Sequence, residues 1–442
     1  VTRRPRIVIV GGGHGGIHVA LRLRRLLRHS RATVTVVDAN SYMTYQPLLA
    51  EAAAGSVEPR HVVVPLRQAL PWAQVITREV VSIDHAQRTA YLHSDDGDPV
   101  ALTYDVLVLA PGSVSRVLPI PGLAENGIGF KTVAEAIHLR NHVLARLDEA
   151  ASASSPRSRQ AALTFVFVGG GFAGVEALAE LQDMAWDACT RYPEIEPIRM
   201  KWVLVEATGR ILPEVGERLS HYATHLLRCR GIDIRLETRL VSAEGGRIRL
   251  DDGTEFDADT LVWTAGVAPN PLVARTDLPL DERGRVRTTS YLSVVGTTDA
   301  WALGDCAAVP DLARGEGAVC PPSAQHAVRQ ARTVADNLAA SLNGSQLAPY
   351  RHASIGSVAS LGLFQGAAEI RGMRLRGFPA WLAHRTYHLS KLPSVNRRLR
   401  VVADWTLALM FPREIVSLEA IEHSREEFTL AASAATKRAR HA

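Results

Sequence analysis

At 442 residues, 47% apolar and 21% charged, the chain has the length and composition of two or three globular domains with substantial cores. Its net charge of +5 is too small by itself to argue for nucleic acid, and no stretch reaches the about 20 apolar residues that span a bilayer. An apolar run begins directly after Arg3, Arg4 and Arg6, so no secretory leader is expected.

The first predicted element is the strand Arg6-Ile7-Val8-Ile9-Val10, which runs into Gly11-Gly12-Gly13-His14-Gly15-Gly16 and a helix over 17–27. This is G-x-G-x-x-G spacing. The first glycine permits a tight turn, the second lets backbone approach a pyrophosphate, and the third lets helix and strand pack closely. The helix N-terminus adds free N–H groups and partial positive charge. The next strand, 33–37, ends in Asp38, where an acid accepts ribose hydroxyls. Residues 75–92 and 98–109 alternate as strands, and the last apolar run stops on Leu109-Ala110-Pro111-Gly112-Ser113. Pro119, Pro121 and Gly122 mark a crossover, followed by a helix over 133–150 and a polar linker over 152–159.

The pattern then repeats. Thr164-Phe165-Val166-Phe167-Val168 leads into Gly169-Gly170-Gly171-Phe172-Ala173-Gly174, and the strand 202–205 ends in Glu206. The longer interval before that acid contains an insertion around 191–197. One such loop is weak evidence; two imply that two dinucleotides are held at once. A carboxylate at 206 pairs with a 2′-hydroxyl and repels a 2′-phosphate, favouring NADH over NADPH, while Arg210 softens that preference. Strands follow at 231–236 and 247–250, with Asp252-Gly253 as a hairpin turn. Thr260–Gly266 echoes the earlier strand that ends on glycine, and Gly304-Asp305 and a long helix from Ser323 come next.

The four cysteines, Cys189, Cys229, Cys306 and Cys320, include no C-x-x-C, and residues 1–188 have none. A dithiol redox centre and a metal site are both unexpected on this spacing, and a reducing cytoplasm suits the chain.

The double fingerprint, the 109–113 turn and Gly304-Asp305-Cys306-Ala307 resemble the two-dinucleotide-binding flavoprotein superfamily. Within it the chain resembles the type II NADH dehydrogenases, non-pumping NADH:quinone oxidoreductases. Tyr45-Gln46-Pro47-Leu48-Leu49 and Gly169 through Val175-Glu176 match that family's segments, and Ala324-Gln325-His326-Ala327-Val328-Arg329-Gln330 is similar to its A-Q-x-A-x-Q-Q helix. Arg329 departs from that pattern, standing where the family has glutamine.

The resemblance implies FAD on Gly11, Gly13, Gly15, Gly16, Asp38, Ala110, Gly112, Gly304, Asp305 and Ala324, and NADH on Gly169, Gly171, Gly174, Glu206 and Gly266. Asp305 also reads as a helix N-cap. Hydride transfer asks little of side chains beyond alignment and exclusion of side reactions. Glu176 reads from position alone as a first-turn carboxylate favoured by the helix dipole; the resemblance makes it a catalytic gate or proton relay for the quinone, menaquinone or ubiquinone. Gln325 and Gln330 become the other catalytic candidates, Gln325 as an amide for a quinone carbonyl.

From Arg371 to Arg400 there are eight Lys or Arg, no Asp or Glu, and interleaved Phe378, Trp381, Leu382, Tyr387, Leu389 and Leu392. Such a segment suits an anionic membrane surface, with a core-packed basic helix or a homodimer interface as the other readings. Pro379 and Pro393 bound its helix, and His384 and His388 dilute its apolar side. No nucleic-acid-binding module is present.

The expected fold class is α/β: an FAD domain (1–122 and 267–345) interrupted by an NADH domain (123–266). A C-terminal α+β membrane-association or dimerisation region (346–422) and a disordered tail (423–442) follow. The expected function is electron transfer from NADH through FAD to a membrane quinone without proton pumping, peripheral at the cytoplasmic face of the cell membrane. The alternative is a soluble NADH-dependent flavoprotein reductase with a non-quinone acceptor.

Overall fold

The computed structural model describes residues 4–28, 32–315, 317–353, 356–417 and Thr429; most of the tail expected to be disordered lies outside them. Two five-stranded parallel sheets organise the chain. The first has the order Ala300–Ala302, Val106–Leu109, Arg6–Val10, Thr33–Asp38, Gln74–Thr77. The second has the order Gly127–Gly129, Thr260–Trp263, Thr164–Val168, Lys201–Val205, Ile232–Arg235. In each the strand that feeds the glycine loop is central. Its residues are apolar without alternation because both faces of the strand are buried, in the second sheet partly against an antiparallel meander.

Each unit also carries a three-stranded antiparallel meander: Val80–Asp84, Thr89–Leu92 and Val100–Thr103 in one, Leu240–Ser242, Arg247–Leu250 and Glu255–Asp257 in the other. The hairpin at Asp252-Gly253 forms as expected, with Gly253 at φ +83°. The polar linker, by contrast, contains a helix, Pro156–Ala162. Ser155 caps it by accepting from the Ser158 N–H, and Pro156 takes the first helical position, where no N–H is needed.

The strand Ala300–Ala302 joins the first sheet only after the chain has completed the second. The helix Ala324–Leu342, capped by Ser323, then packs along His14–Leu26, with Arg22 and Asp336 paired across the contact at 2.8 Å. The C-terminal region is an antiparallel sheet of Gly356–Ser360, Gly366–Ile370 and Met373–Arg376 with the helices Phe378–Lys391 and Val395–Met410. No helix of the described residues is long and apolar enough to cross a membrane.

Candidate active site

The two glycine loops are built alike. A Cβ on Gly16 would stand 1.8 Å from the Gly11 carbonyl oxygen, and one on Gly174 would stand 2.1 Å from that of Gly169, so helix and turn pack at a distance only glycine allows. Gly13 and Gly171 face open space, where a pyrophosphate can approach the backbone. Asp38 accepts from the Gly12 N–H at 2.6 Å, and Glu206 accepts from the Gly170 N–H at 2.6 Å. Burial pushes the Asp38 carboxyl up, partly countered by its bonds from Asn40 and Gly12. Glu206 also accepts from the Thr208 N–H and hydroxyl at 2.8 and 2.7 Å. Arg210 donates to the Pro213 carbonyl.

A cleft of about 510 Å³ opens over the first loop. Gly13, Gly15, Asp38, Ala110, Gly112, Gly304, Asp305 and Ala324 all line it, while Gly11 and Gly16 shape the turn beneath. The open face of Gly13 and the converging acids fit a dinucleotide. Asp305 is not an N-cap: it lies inside the short turn Gly304–Cys306 and accepts from Ser113 Oγ at 2.6 Å. Lys131 donates to the same hydroxyl at 2.9 Å and walls the cleft, a residue the sequence did not single out. Gly266 lies in the turn after the Thr260–Trp263 strand, and its carbonyl accepts from the Arg116 N–H.

The helix expected after the second loop begins at Phe172, so Glu176 falls beyond its first turn and the dipole is not what holds it. It is buried and has specific partners. Its Oε1 accepts from the Ser360 N–H at 2.9 Å and lies 3.2 Å from His384 Nε2. Burial alone would lower the His384 imidazole, yet Glu176, with Glu51 and Glu180 adding charge, raises it above its ordinary 6.5. One turn on, Glu180 accepts from Ser360 Oγ at 2.9 Å and pairs with Arg413 at 3.9 Å. Glu51 lies 3.5 Å from Arg385 and accepts from the Trp405 indole. The Arg385 guanidinium sits over the rings of Trp381 and Trp405, 4.1 and 4.7 Å from their centroids. His384 and Arg385, read from sequence as part of a surface segment, are therefore core residues. Their acidic partners arrive from positions far along the chain, which periodicity within one helix does not reveal. The i,i+4 spacing of Glu176 and Glu180 among the apolar residues of 175–181 was the available signal.

From His384 a line of rings leads back to the cleft. His388 stands edge-on to it at 4.5 Å, Tyr45 Oη lies 3.3 Å from His388 Nδ1, and His14 is 5.6 Å from Tyr45. Burial lowers His388 well below its usual value and His14 to about 3. Both are neutral at ordinary pH.

Of the two glutamines, Gln325 is part-exposed and donates weakly to the Gly356 carbonyl at 3.4 Å. Gln330 is buried, and its Oε1 accepts from the Gly304 N–H at 2.8 Å, bracing the turn that carries Asp305. All four cysteines are free, and burial pushes the thiols of Cys189 and Cys320 up to about 11 and that of Cys306 to about 12.

Residues 5–331 match the family model described as pyridine nucleotide-disulphide oxidoreductase. The chain belongs to that family. It is 31% identical over 409 residues to the demethylphylloquinone reductase NdbB of Synechocystis, covering 91% of this chain and 96% of that protein. It is 29% identical over 426 residues to the type II NADH:quinone oxidoreductase Ndh of Mycobacterium tuberculosis, covering 93% and 89%. In fold it is similar to NDH2 from Plasmodium falciparum in complex with NADH, with a TM-score of 0.86 at 17% identity over 94% of this chain and 100% of that one. Within the pyridine nucleotide-disulphide oxidoreductases it groups with the type II NADH dehydrogenases. Its unpaired cysteines set it apart from members that work through a dithiol.

Proposed function

We propose that this chain is an NADH:quinone oxidoreductase: NADH is oxidised on bound FAD and the electrons pass to a quinone. The observation that carries the reading is the pair of acid-closed glycine cradles in one chain, joined to a buried Glu176–His384 pair instead of a dithiol. FAD, when bound, supplies the two-electron chemistry. The chain's residues bind, orient and handle protons. Gly13 and the helix behind it receive the FAD pyrophosphate, and Asp38 the ribose. Ser113, held between Lys131 and Asp305, fixes the polar end of the cleft. Gly171 and Glu206 take NADH, and the Glu206 carboxylate disfavours a 2′-phosphate.

Quinone reduction consumes two protons with its two electrons, so a proton reservoir near the site has a role. His384 Nε2 holds a proton against Glu176 Oε1. The neutral rings of His388, Tyr45 and His14 offer a path from that pair to the cleft wall. Gln325, part-exposed near the start of the helix that reaches the cleft, is the amide for a quinone carbonyl, with Gln330 acting through Gly304.

Attachment to a membrane surface is supported by the helix Val395–Met410. Val401 and Trp405 face inward while Val395, Leu399, Val402, Leu409 and Met410 are exposed along one side, flanked by Arg397, Arg398 and Arg400. A peripheral position on an anionic bilayer follows from that face.

The test begins with the flavin spectrum of purified protein. NADH oxidation is then followed with a water-soluble quinone and with quinone-loaded anionic vesicles. Quinone-dependent reoxidation is expected, faster on vesicles. A flavin that NADH reduces but quinone does not reoxidise would overturn the reading. Glu176→Gln is expected to slow quinone reduction about 10–100-fold while leaving flavin reduction by NADH intact.

A further inference from the structure

Outside the cofactor cleft, one group of potential metal donors stands together among the described residues: Asp311, Cys320 and His326, with all three donor atoms within 4.8 Å of one another. No spacing in the sequence announces it. An antiparallel bridge between Pro310 and Val319 folds the intervening loop back so that Asp311 and Cys320 meet, and Ser323 starts the helix that delivers His326. Asp311 and Cys320 are buried. We infer that this pocket is a binding site for a divalent transition ion of the zinc class, held by a carboxylate, a thiolate and an imidazole.

Three further observations support it. Tyr350 Oη lies 2.8 Å from His326 Nδ1, which leaves Nε2 for an ion and fixes the ring as outer partners of metal-bound histidines do. His352 lies edge-on to His326 with ring centroids 5.8 Å apart, and its Nε2 is buried with no hydrogen-bond partner in the protein. It lies outside the trio of mutually close donors and would have to swing in to serve as a fourth ligand. Tetrahedral zinc with bonds of about 2.0–2.3 Å needs its donors roughly 3.5 Å apart, so donors now within 4.8 Å of one another must close by up to about 1.5 Å. Sulfur, nitrogen and one carboxylate oxygen select a zinc-like ion over magnesium or calcium.

Arg314 is the competitor. It holds Asp311 Oδ2 at 3.5 Å from a largely exposed position, a long single contact that an ion can displace. The ion would staple the 309–320 loop to the helix Ala324–Leu342. Cys320 also bonds the Gln330 side chain, and Gln330 holds Gly304. The staple therefore lies one residue behind the turn that carries Asp305.

Cobalt(II) titrated into the chelator-treated holoprotein is the direct test. Wild type is expected to take up about one equivalent per flavin, with thiolate-to-cobalt charge transfer and tetrahedral d–d bands beyond the flavin absorption. Cys320→Ser should abolish the charge-transfer band, Asp311→Asn should weaken affinity about tenfold or more, and Cys229→Ser, on the exposed cysteine, should change neither. Wild-type protein with an intact flavin spectrum and no thiolate–cobalt band overturns the inference, as does a band that survives Cys320→Ser.

Discussion

The two dinucleotide units share a turn, a central strand and an acid bonded to the second loop glycine, yet they differ in what surrounds the cradle. Over the first, the chain returns repeatedly: residues 110–115, 131–135, 303–305 and 324–327 all wall the cleft, and Asp38 is buried enough to raise its pKa. Around the second, Glu206 is flanked by exposed Ala207, Thr208 and Gly209. On the proposed assignment the contrast predicts two kinds of residence: the cradle enclosed by distant segments would keep its cofactor, and the cradle open on its acid side would let one come and go.

The sharpest way to break this contrast is to fill the close approach in each loop. Gly16→Ala places a Cβ against the Gly11 carbonyl and Gly174→Ala places one against Gly169. The first is expected to purify with less than about a tenth of the normal flavin. The second should keep its flavin absorbance while the NADH concentration for half-maximal flavin reduction rises about 10-fold or more. Equal loss of flavin in both would erase the distinction.

A smaller effect is expected at the two acids. Glu206→Ala removes a charge-assisted bond of about 1.5–3 kcal/mol, so KM for NADH should rise about 10–100-fold and the preference over NADPH should narrow. Asp38→Ala should instead lower flavin content and leave KM for NADH nearly unchanged. Steady-state kinetics and flavin absorbance separate the two.

The smallest effect concerns pH. His384 is raised in the folded protein, so the stabilisation it draws from Glu176 is complete below its ordinary 6.5 and is lost as pH climbs through the raised value. Thermal melts should therefore fall by a few degrees on the alkaline side. In His384→Gln that alkaline decline should vanish. A decline that persists unchanged places its source elsewhere.

What was legible in the sequence follows from the range of the interactions. The strand–glycine–helix units and their acids were visible because each is set by neighbours within one βαβ stretch. Lys131, His384 and Arg385 were not. Lys131 gains meaning only beside Ser113 and Asp305, and His384 only beside Glu176, more than 200 residues earlier. Basic and aromatic residues in 371–400 read as one surface because composition does not say which side of a helix is inward. The structure divides them, sending Trp381, His384 and Arg385 to the core and leaving Phe378 and Leu382 exposed.

The late arrival of the strand Ala300–Ala302 sets an order of events during synthesis. The second sheet has all five strands between Gly127 and Trp263, so it is complete while the first still lacks an edge. Domains fold as units while the chain is made. The second unit is thus a finished body hanging between two parts of an unfinished one. The cleft over the first loop, which Gly304, Asp305 and Ala324 also line, closes last. A nascent chain stopped before residue 300 would hold a formed nucleotide fold and no place for its flavin.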